Sequence, residues 1–451
     1  MNDGEGSLAF SAGNRDHYTL GCASCKMVVM KRLISEVGSN FDAAAHPGTV
    51  AYELSNYCSP PSPVALTAWE SRMPKTKQQH LDGANGPKRI LALDGGGIRG
   101  ILTLEYLEVM ESEFRRRFNN PDFLLCDYFD LIGGTSTGSI IAAGLACGLT
   151  VEQLKKLYTG IGTDVFQAEF WRLGLLAPKF KSGPLQQALD AQLGADTTLD
   201  SDRIRTGLMI MTKRLDTGSA WPLHNHPAAR YAGQDGKLHL TKVVRASTAA
   251  PTYFEPQEIE ISSRDGNIVA GAFVDGGVSP FNDPSLQLLM LAALDGHGFH
   301  WPTGKDKLLL ISVGTGVFKK TYAAKQITGM AAAEQGLRSL QSLMDDCGRV
   351  NQAMLQWLTN CLTPWTIDRA VGDMKLDSQG GPQLATYARY NVLLEPGWLK
   401  TTVKLDLAPE AVAKIAAMDD PNNIKDLADI GRLAAKEQLK PEHFPSCFDV
   451  T

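Results

Sequence analysis

Residues 131–149 read LIGGTSTGSIIAAGLACGL, and two structures compete for them. The stretch carries no charge and is nearly long enough to cross a bilayer as a helix. Its opening argues otherwise. Two adjacent glycines start it, and two threonines flank a serine in the pentapeptide Gly134-Thr135-Ser136-Thr137-Gly138. A G-x-S-x-G of this kind predicts a buried strand, a sharp turn and an apolar helix, here from Ser139 to Cys147. The turn is so tight that the residues two before and two after the serine approach each other, which calls for glycine at both places. The serine is lifted off the sheet at the N-terminus of the following helix, whose dipole and free N–H groups favour developing negative charge. Ser136 is therefore a candidate nucleophile, and its surroundings read as α/β.

Working outward, Arg89–Leu93 is a short apolar run ending in Asp94 and three glycines, the pattern of a buried parallel strand entering a tight turn. Leu107, Met110, Phe114 and Phe118 then recur at helical spacing. Further strands are expected at Tyr128–Ile132, Thr206–Thr212, Ile268–Val274, Leu308–Val313 and Tyr390–Leu394. Helical periodicity covers Ala331–Leu362, Pro409–Met418 and Ile424–Leu439. Strands alternating with helices predict a three-layer α/β fold: a mostly parallel sheet flanked by helices, with a helical C-terminal region. The chain divides into an N-terminal extension (1–86), a catalytic core (87–284) and a C-terminal continuation (285–451) with one or two core strands. The extension, with Ser-Pro-Pro-Ser-Pro at 59–63 and little periodicity, is expected to be partly disordered or draped on the core.

Composition narrows the function. The 451 residues are 43% hydrophobic and 21% charged, an ordinary globular balance. With 44 basic and 49 acidic residues the net charge is −5, so the clustered basic excess of a nucleic-acid binder is missing. Anionic membranes would not attract such a chain, and any lipid contact must be local and apolar. The first residues, MNDGEGSLAF, lack a secretory signal. The 8 cysteines accordingly read as reduced thiols of a cytoplasmic protein. Cys22 and Cys25 form a lone C-x-x-C without a second pair at metal-ligand spacing, so no metal is expected.

Asp94-Gly95-Gly96-Gly97-Ile98-Arg99-Gly100 has two meanings. Gly95, Gly97 and Gly100 satisfy the dinucleotide pattern G-x-G-x-x-G, which also expects an acid about 20 residues on, at the end of the second strand. Here Arg115–Asn120 occupies that distance and the second strand ends in Gly133-Gly134, so the ribose contact is lost. The alternative is an oxyanion hole, in which consecutive glycines aim backbone N–H groups at one point. Arg99 either adds positive charge near a phosphate or oxyanion, or makes a structural salt bridge. Asp94 reads as a structural residue that fixes the glycine turn.

A serine nucleophile needs a base. Among the 9 histidines, His224, His226, His297 and His300 fall in loop-like segments, none at a clear strand end. Asp275 ends the run Ile268–Val274 and precedes Gly276-Gly277, so its carboxylate would face the crevice beside the sheet that holds Ser136. Apolar neighbours would raise its pKa towards that of a useful base. Spacing alone leaves the choice open.

Three elements now stand in order: the Asp94–Gly100 glycine loop, Gly134–Gly138, and Asp275-Gly276-Gly277. Together they resemble the patatin-like phospholipase family, firmly from Arg89 to Asp283 and loosely through Leu308–Gly316 and Tyr387–Leu394. The resemblance implies a catalytic dyad without histidine: Ser136 as nucleophile, Asp275 as direct proton acceptor, and the backbone of Gly95, Gly96 and Gly97 as oxyanion hole. Arg99, Gly100, Gly134, Gly138, Gly276 and Gly277 would support it. It implies a lipid acyl hydrolase of the phospholipase A or lysophospholipase type, with no metal or organic cofactor and a lipid substrate met at a membrane surface. The apolar segment 166–180, FQAEFWRLGLLAPKF, reads as a lid, a membrane-touching surface or packed core.

Overall fold

The computed structural model describes residues 74–165, 180, 182–262, 267–319 and 322–450. A one-turn helix, α1 (Lys77–Leu81), leads into β1 (Lys88–Leu93), every residue of which is buried. The glycine loop follows, then α2 (Gly100–Arg117), β2 (Leu131–Thr135) and α3 (Thr137–Ala146). After α4 (Val151–Val165) and α5 (Ser182–Leu193) come β3 (Gly207–Arg214), β4 (Ser219–His224), α6 (Leu240–Ser247), β5 (Gln257–Ser262) and β6 (Ile268–Asp275). The C-terminal part adds α7 (Ser285–Ala293), β7 (Leu308–Val313), α8 (Ala332–Leu358), β8 (Asn360–Cys361), β9 (Thr386–Tyr390), α9 (Pro409–Ile415) and α10 (Ile424–Gln438).

The strands form one sheet in the order β5-β6-β3-β2-β1-β7-β9-β8, with β4 also on β3. Its centre is parallel, from β3 through β2, β1 and β7 to β9. Two apolar layers enclose it, and the alternation of β1 sorts its side chains between them. Leu91 and Leu93 join the larger core with Leu102, Phe114 and Ile430, while Ile90 and Ala92 join a second core with Leu288, Leu291 and Trp301. This is the three-layer α/β architecture that the sequence pattern predicts.

Three boundaries differ from expectation for a visible reason. Leu125–Tyr128 forms a helical turn instead of a strand, because the Asp127 carboxylate accepts the Leu124 N–H at 3.0 Å and Tyr128 stacks on Phe114, ring centroids 4.1 Å apart. The last strand is Thr386–Tyr390 rather than 390–394. Asn391 ends it by turning its amide oxygen onto the N–H groups of Gly316 and Val392. The long helix stops at Leu358, where the chain extends to pair with β9. The sheet is also more mixed than alternation suggests: β3–β4, β3–β6 and β5–β6 are antiparallel.

Candidate active site

Strand register brings Ser136 to Asp275. β4 covers one edge of β3 over Met209–Arg214, so β2 and β6 must share the other. β2 occupies it up to Thr135, which lies opposite Met211; β6 occupies it from Arg214 back to Thr212, which lies opposite Asp275. The two strands run towards each other, and Ser136 meets Asp275 where they abut. The expectation that Asp275 faces the nucleophile rests on a parallel sheet, yet the meeting is made by an antiparallel strand arriving head-on.

Ser136 has φ 54° and ψ −125°, a left-handed conformation costly for a residue with a Cβ. Its neighbours hold it there. A Cβ on Gly134 would stand 2.1 Å from the Gly138 carbonyl oxygen, and one on Gly138 would stand 2.3 Å from that of Leu93, so each glycine is required by close backbone approach. The Ser136 N–H donates to Ser247 Oγ (2.9 Å), which donates onward to the Met211 carbonyl (2.7 Å). The Ser136 carbonyl accepts from both the N–H and the hydroxyl of Ser139.

The Ser136 hydroxyl donates to Asp275 Oδ2 at 2.5 Å, and the other carboxylate oxygen accepts the Gly277 N–H at 2.7 Å. Gly276 packs against the Met211 carbonyl, which a Cβ would approach to 2.3 Å. Burial pushes Asp275 up to about 6, with the Ser136 and Gly277 hydrogen bonds opposing it. No histidine joins this pair among the described residues. His224 and His226 pack on Phe299 instead, His297 packs edge-on against His224, and His300 bonds Asp295.

The glycine loop forms the floor beside the serine: a Cβ on Gly95 would lie 3.0 Å from that of Ser136. The Gly95 N–H is already given to the Asn282 carbonyl (3.2 Å), and the Gly95 carbonyl accepts from Asn282 Nδ2 (3.2 Å) and Thr315 Oγ1 (2.8 Å). The N–H groups of Gly96 and Gly97 have no partner among the described residues. Gly96 packs on Thr315, and Gly97, at φ 60°, packs on the Met418 carbonyl. Tyr158 donates its hydroxyl to the Gly97 carbonyl and abuts Gly100. Arg99 makes no ion pair among the described residues. Its half-buried guanidinium is held down to about 10 by burial, with Asp345 and Tyr158 opposing, and its Nε is unpartnered. The Asp94 carboxylate, expected to fix the glycine turn, is gripped from outside the turn by Arg389, at 2.6 and 3.1 Å.

Asn282, Ser247, Tyr158 and Arg389 were not foreseeable from motif spacing. Thr315 had a signal, since it sits in Gly314-Thr-Gly316 directly after β7. Most of the apolar segment read as a lid, a membrane-touching surface or packed core (166–179), Cys22 and Cys25 lie outside the described residues. Among the described residues no cluster of three His, Cys, Asp or Glu side chains is arranged for a metal, and no helix is long and apolar enough to cross a membrane.

Residues 91–288 match the Patatin-like phospholipase family. A cGAMP-activated phospholipase of Escherichia coli is 36% identical over 40% of this chain and 52% of its own length. Patatin-17 of Solanum cardiophyllum is 28% identical over 74% of this chain and 83% of its own. This chain thus spans about half of the first relative and most of the second. The structure of human GIVD cytosolic phospholipase A2 aligns with 80% of this chain and 60% of its own at 9% identity and a TM-score of 0.38, too loose a match to carry inference.

Proposed function

From the premise that this chain belongs with the patatin-like phospholipases, we propose that it hydrolyses carboxylic esters of lipids, in the manner of a phospholipase A or lysophospholipase, with Ser136 as nucleophile and Asp275 as base. The observation that carries this reading is the 2.5 Å hydrogen bond from Ser136 Oγ to Asp275 Oδ2. As Oγ attacks the acyl carbonyl carbon, Asp275 takes its proton. The carbonyl oxygen becomes an oxyanion, for which the N–H groups of Gly96 and Gly97, without a partner among the described residues, serve as donors, with Gly95 clamped as their anchor. Collapse breaks the bond to the alcohol, which leaves with the proton from Asp275, and the acyl group stays on Ser136. Water then attacks, Asp275 again accepts a proton, and the fatty acid departs as Ser136 regains its own. A base near pKa 6 is ionised at neutral pH and still basic enough for the task.

The substrate meets the protein through apolar contact, since the net charge of −5 gives no attraction to anionic surfaces. Hydrolysis of a short-chain p-nitrophenyl ester and of mixed phospholipid vesicles tests the reading. Wild-type protein should release acid from both, and Ser136→Ala should lose at least about 10³-fold in turnover. A Ser136→Ala protein with wild-type turnover would overturn the assignment.

A further inference from the structure

Arg389 lies two strands away from the glycine loop, in β9, yet its guanidinium ends beside that loop. β9 pairs with β7 so that Arg389 is level with Ser312, and Ser312 in turn is level with Ala92 of β1, two residues before Asp94. From there the side chain crosses β7. Nη1 donates to Ser312 Oγ at 2.5 Å, and Nη1 and Nη2 together take both oxygens of Asp94 at 3.1 and 2.6 Å. Nη1 also stands 2.9 Å from Asp283 Oδ2, an ion pair without hydrogen-bond alignment. The other Asp283 oxygen accepts from the N–H and hydroxyl of Ser285 and from the Ser312 hydroxyl. Arg389, Asp94 and Asp283 are all buried.

The two carboxylates belong to different loops. Asp94 is the residue before Gly95. Asp283 is the residue after Asn282, which holds Gly95 by both its N–H and its carbonyl. One planar guanidinium therefore fixes the root of the glycine loop and the root of the clamp that grips it. We propose that Arg389 is a positioning residue for the oxyanion donors: it holds Asp94 against Asp283 so that Gly95 is anchored and the N–H groups of Gly96 and Gly97, without a partner among the described residues, stay in place beside Ser136. This rests on the ester-hydrolase reading given above. The geometry is suited to arginine, because a lysine has one nitrogen and cannot take both Asp94 oxygens side by side while also reaching Ser312 and facing Asp283. Burial, with the Asp283 carboxylate adding to it, raises Asp94 to about 7 against the pull of Arg389, so the guanidinium is what favours the charged form of Asp94.

A positioning role predicts a defect that appears only when an oxyanion forms. Arg389→Met and Arg389→Lys should lower kcat by roughly tenfold to a hundredfold, below the ~10²–10³ of losing a donor outright, with KM nearly unchanged. They should weaken a trifluoromethyl ketone, whose adduct with Ser136 carries the oxyanion, by a similar factor. The corresponding non-electrophilic methylene analogue should bind as it does to wild type. Asn282→Ala should show the same pattern, and its effect should not multiply with that of Arg389→Lys in the double variant. Equal weakening of both inhibitors, or a kcat of wild-type size in a folded Arg389→Lys protein, would overturn the proposal. Should Arg389→Met fail to fold, Arg389→Lys with its thermal midpoint decides alone. A Ser136→Ala control separates the two readings: if it abolishes hydrolysis while Arg389 variants remain fully active, the positioning role fails and the hydrolase reading stands.

Discussion

Asp275 and Asp130 are both buried carboxylates within the same sheet, and their surroundings treat them in opposite ways. Asp130 lies just before β2, at the end remote from Ser136. Arg89 Nε donates to it at 2.8 Å, the Arg89 N–H at 3.0 Å, and His80 Nδ1 is 2.9 Å away, with Lys75 at 3.4 Å. Burial alone would raise Asp130, but Arg89, His80 and Lys75 outweigh it and hold it at about 2. Asp275 has a hydroxyl and one backbone N–H, no cation among the described residues, and is raised to about 6. Burial is common to both; the cations are not. A carboxylate ringed by positive charge is a permanent anion and ties chain segments together: Arg89 also reaches the Phe448 carbonyl, so this cluster links α1, β1 and the C-terminus. A carboxylate buried without a counter-ion keeps an appetite for a proton, which is what a base requires.

The widest separation between the two should come from neutralising each. Asp275→Asn is expected to cost at least about 10³-fold in turnover while making the fold more stable. The sign follows from the raised pKa. A group lifted from 3.8 to about 6 folds more readily protonated, so its charge opposes folding above pH 6, by on the order of 3 kcal/mol, and not below pH 4. Denaturant melts of the variant and wild type at pH 7.5 and pH 4, at about those two conditions, should thus differ at the first and converge at the second.

Asp130→Asn should do the reverse. Leaving Arg89 without its buried partner is expected to destabilise the fold by about 3–5 kcal/mol, with turnover per folded molecule unchanged. The lowered pKa means that the charge of Asp130 supports folding at ordinary pH and that this support is lost as pH falls from 3.8 through about 2. Equilibrium unfolding with active-site titration of the folded fraction reads both quantities.

A pH–rate profile is the next, smaller contrast. If Asp275 is the base, kcat/KM should fall about tenfold for each pH unit below the apparent pKa near 6. A profile flat down to pH 4, at about the ordinary carboxylate range, would remove Asp275 from that role. The least effect is expected at Lys75, the most exposed member of the structural cluster. Its 3.4 Å contact is the longest to Asp130, and Lys75→Ala should cost less than about 1 kcal/mol and leave the profile in place.

The sequence by itself determined the α/β class, the strand–turn–helix around Ser136 and the glycines that the turn requires. Those are local matters: alternation marks a strand, and a Cβ at Gly134 or Gly138 is excluded by atoms a few residues away in the chain or at the end of the neighbouring strand. It also offered Asp275 as a candidate, through its place between an apolar run and two glycines, although that spacing left the choice open and the family resemblance made it. Only the tertiary structure decided how Asp275 reaches Ser136, because an antiparallel strand sharing an edge with β2 leaves no periodic mark. The partners held at long range were equally illegible. Asn282 is 187 positions from Gly95, and Arg389 is 295 from Asp94. Hydrogen bonds of that span depend on register and strand order, which are set by how the whole sheet packs. The same reason separates the two buried aspartates. Nothing in the residues flanking Asp130 announces the cations that gather around it, and nothing beside Asp275 announces that none will.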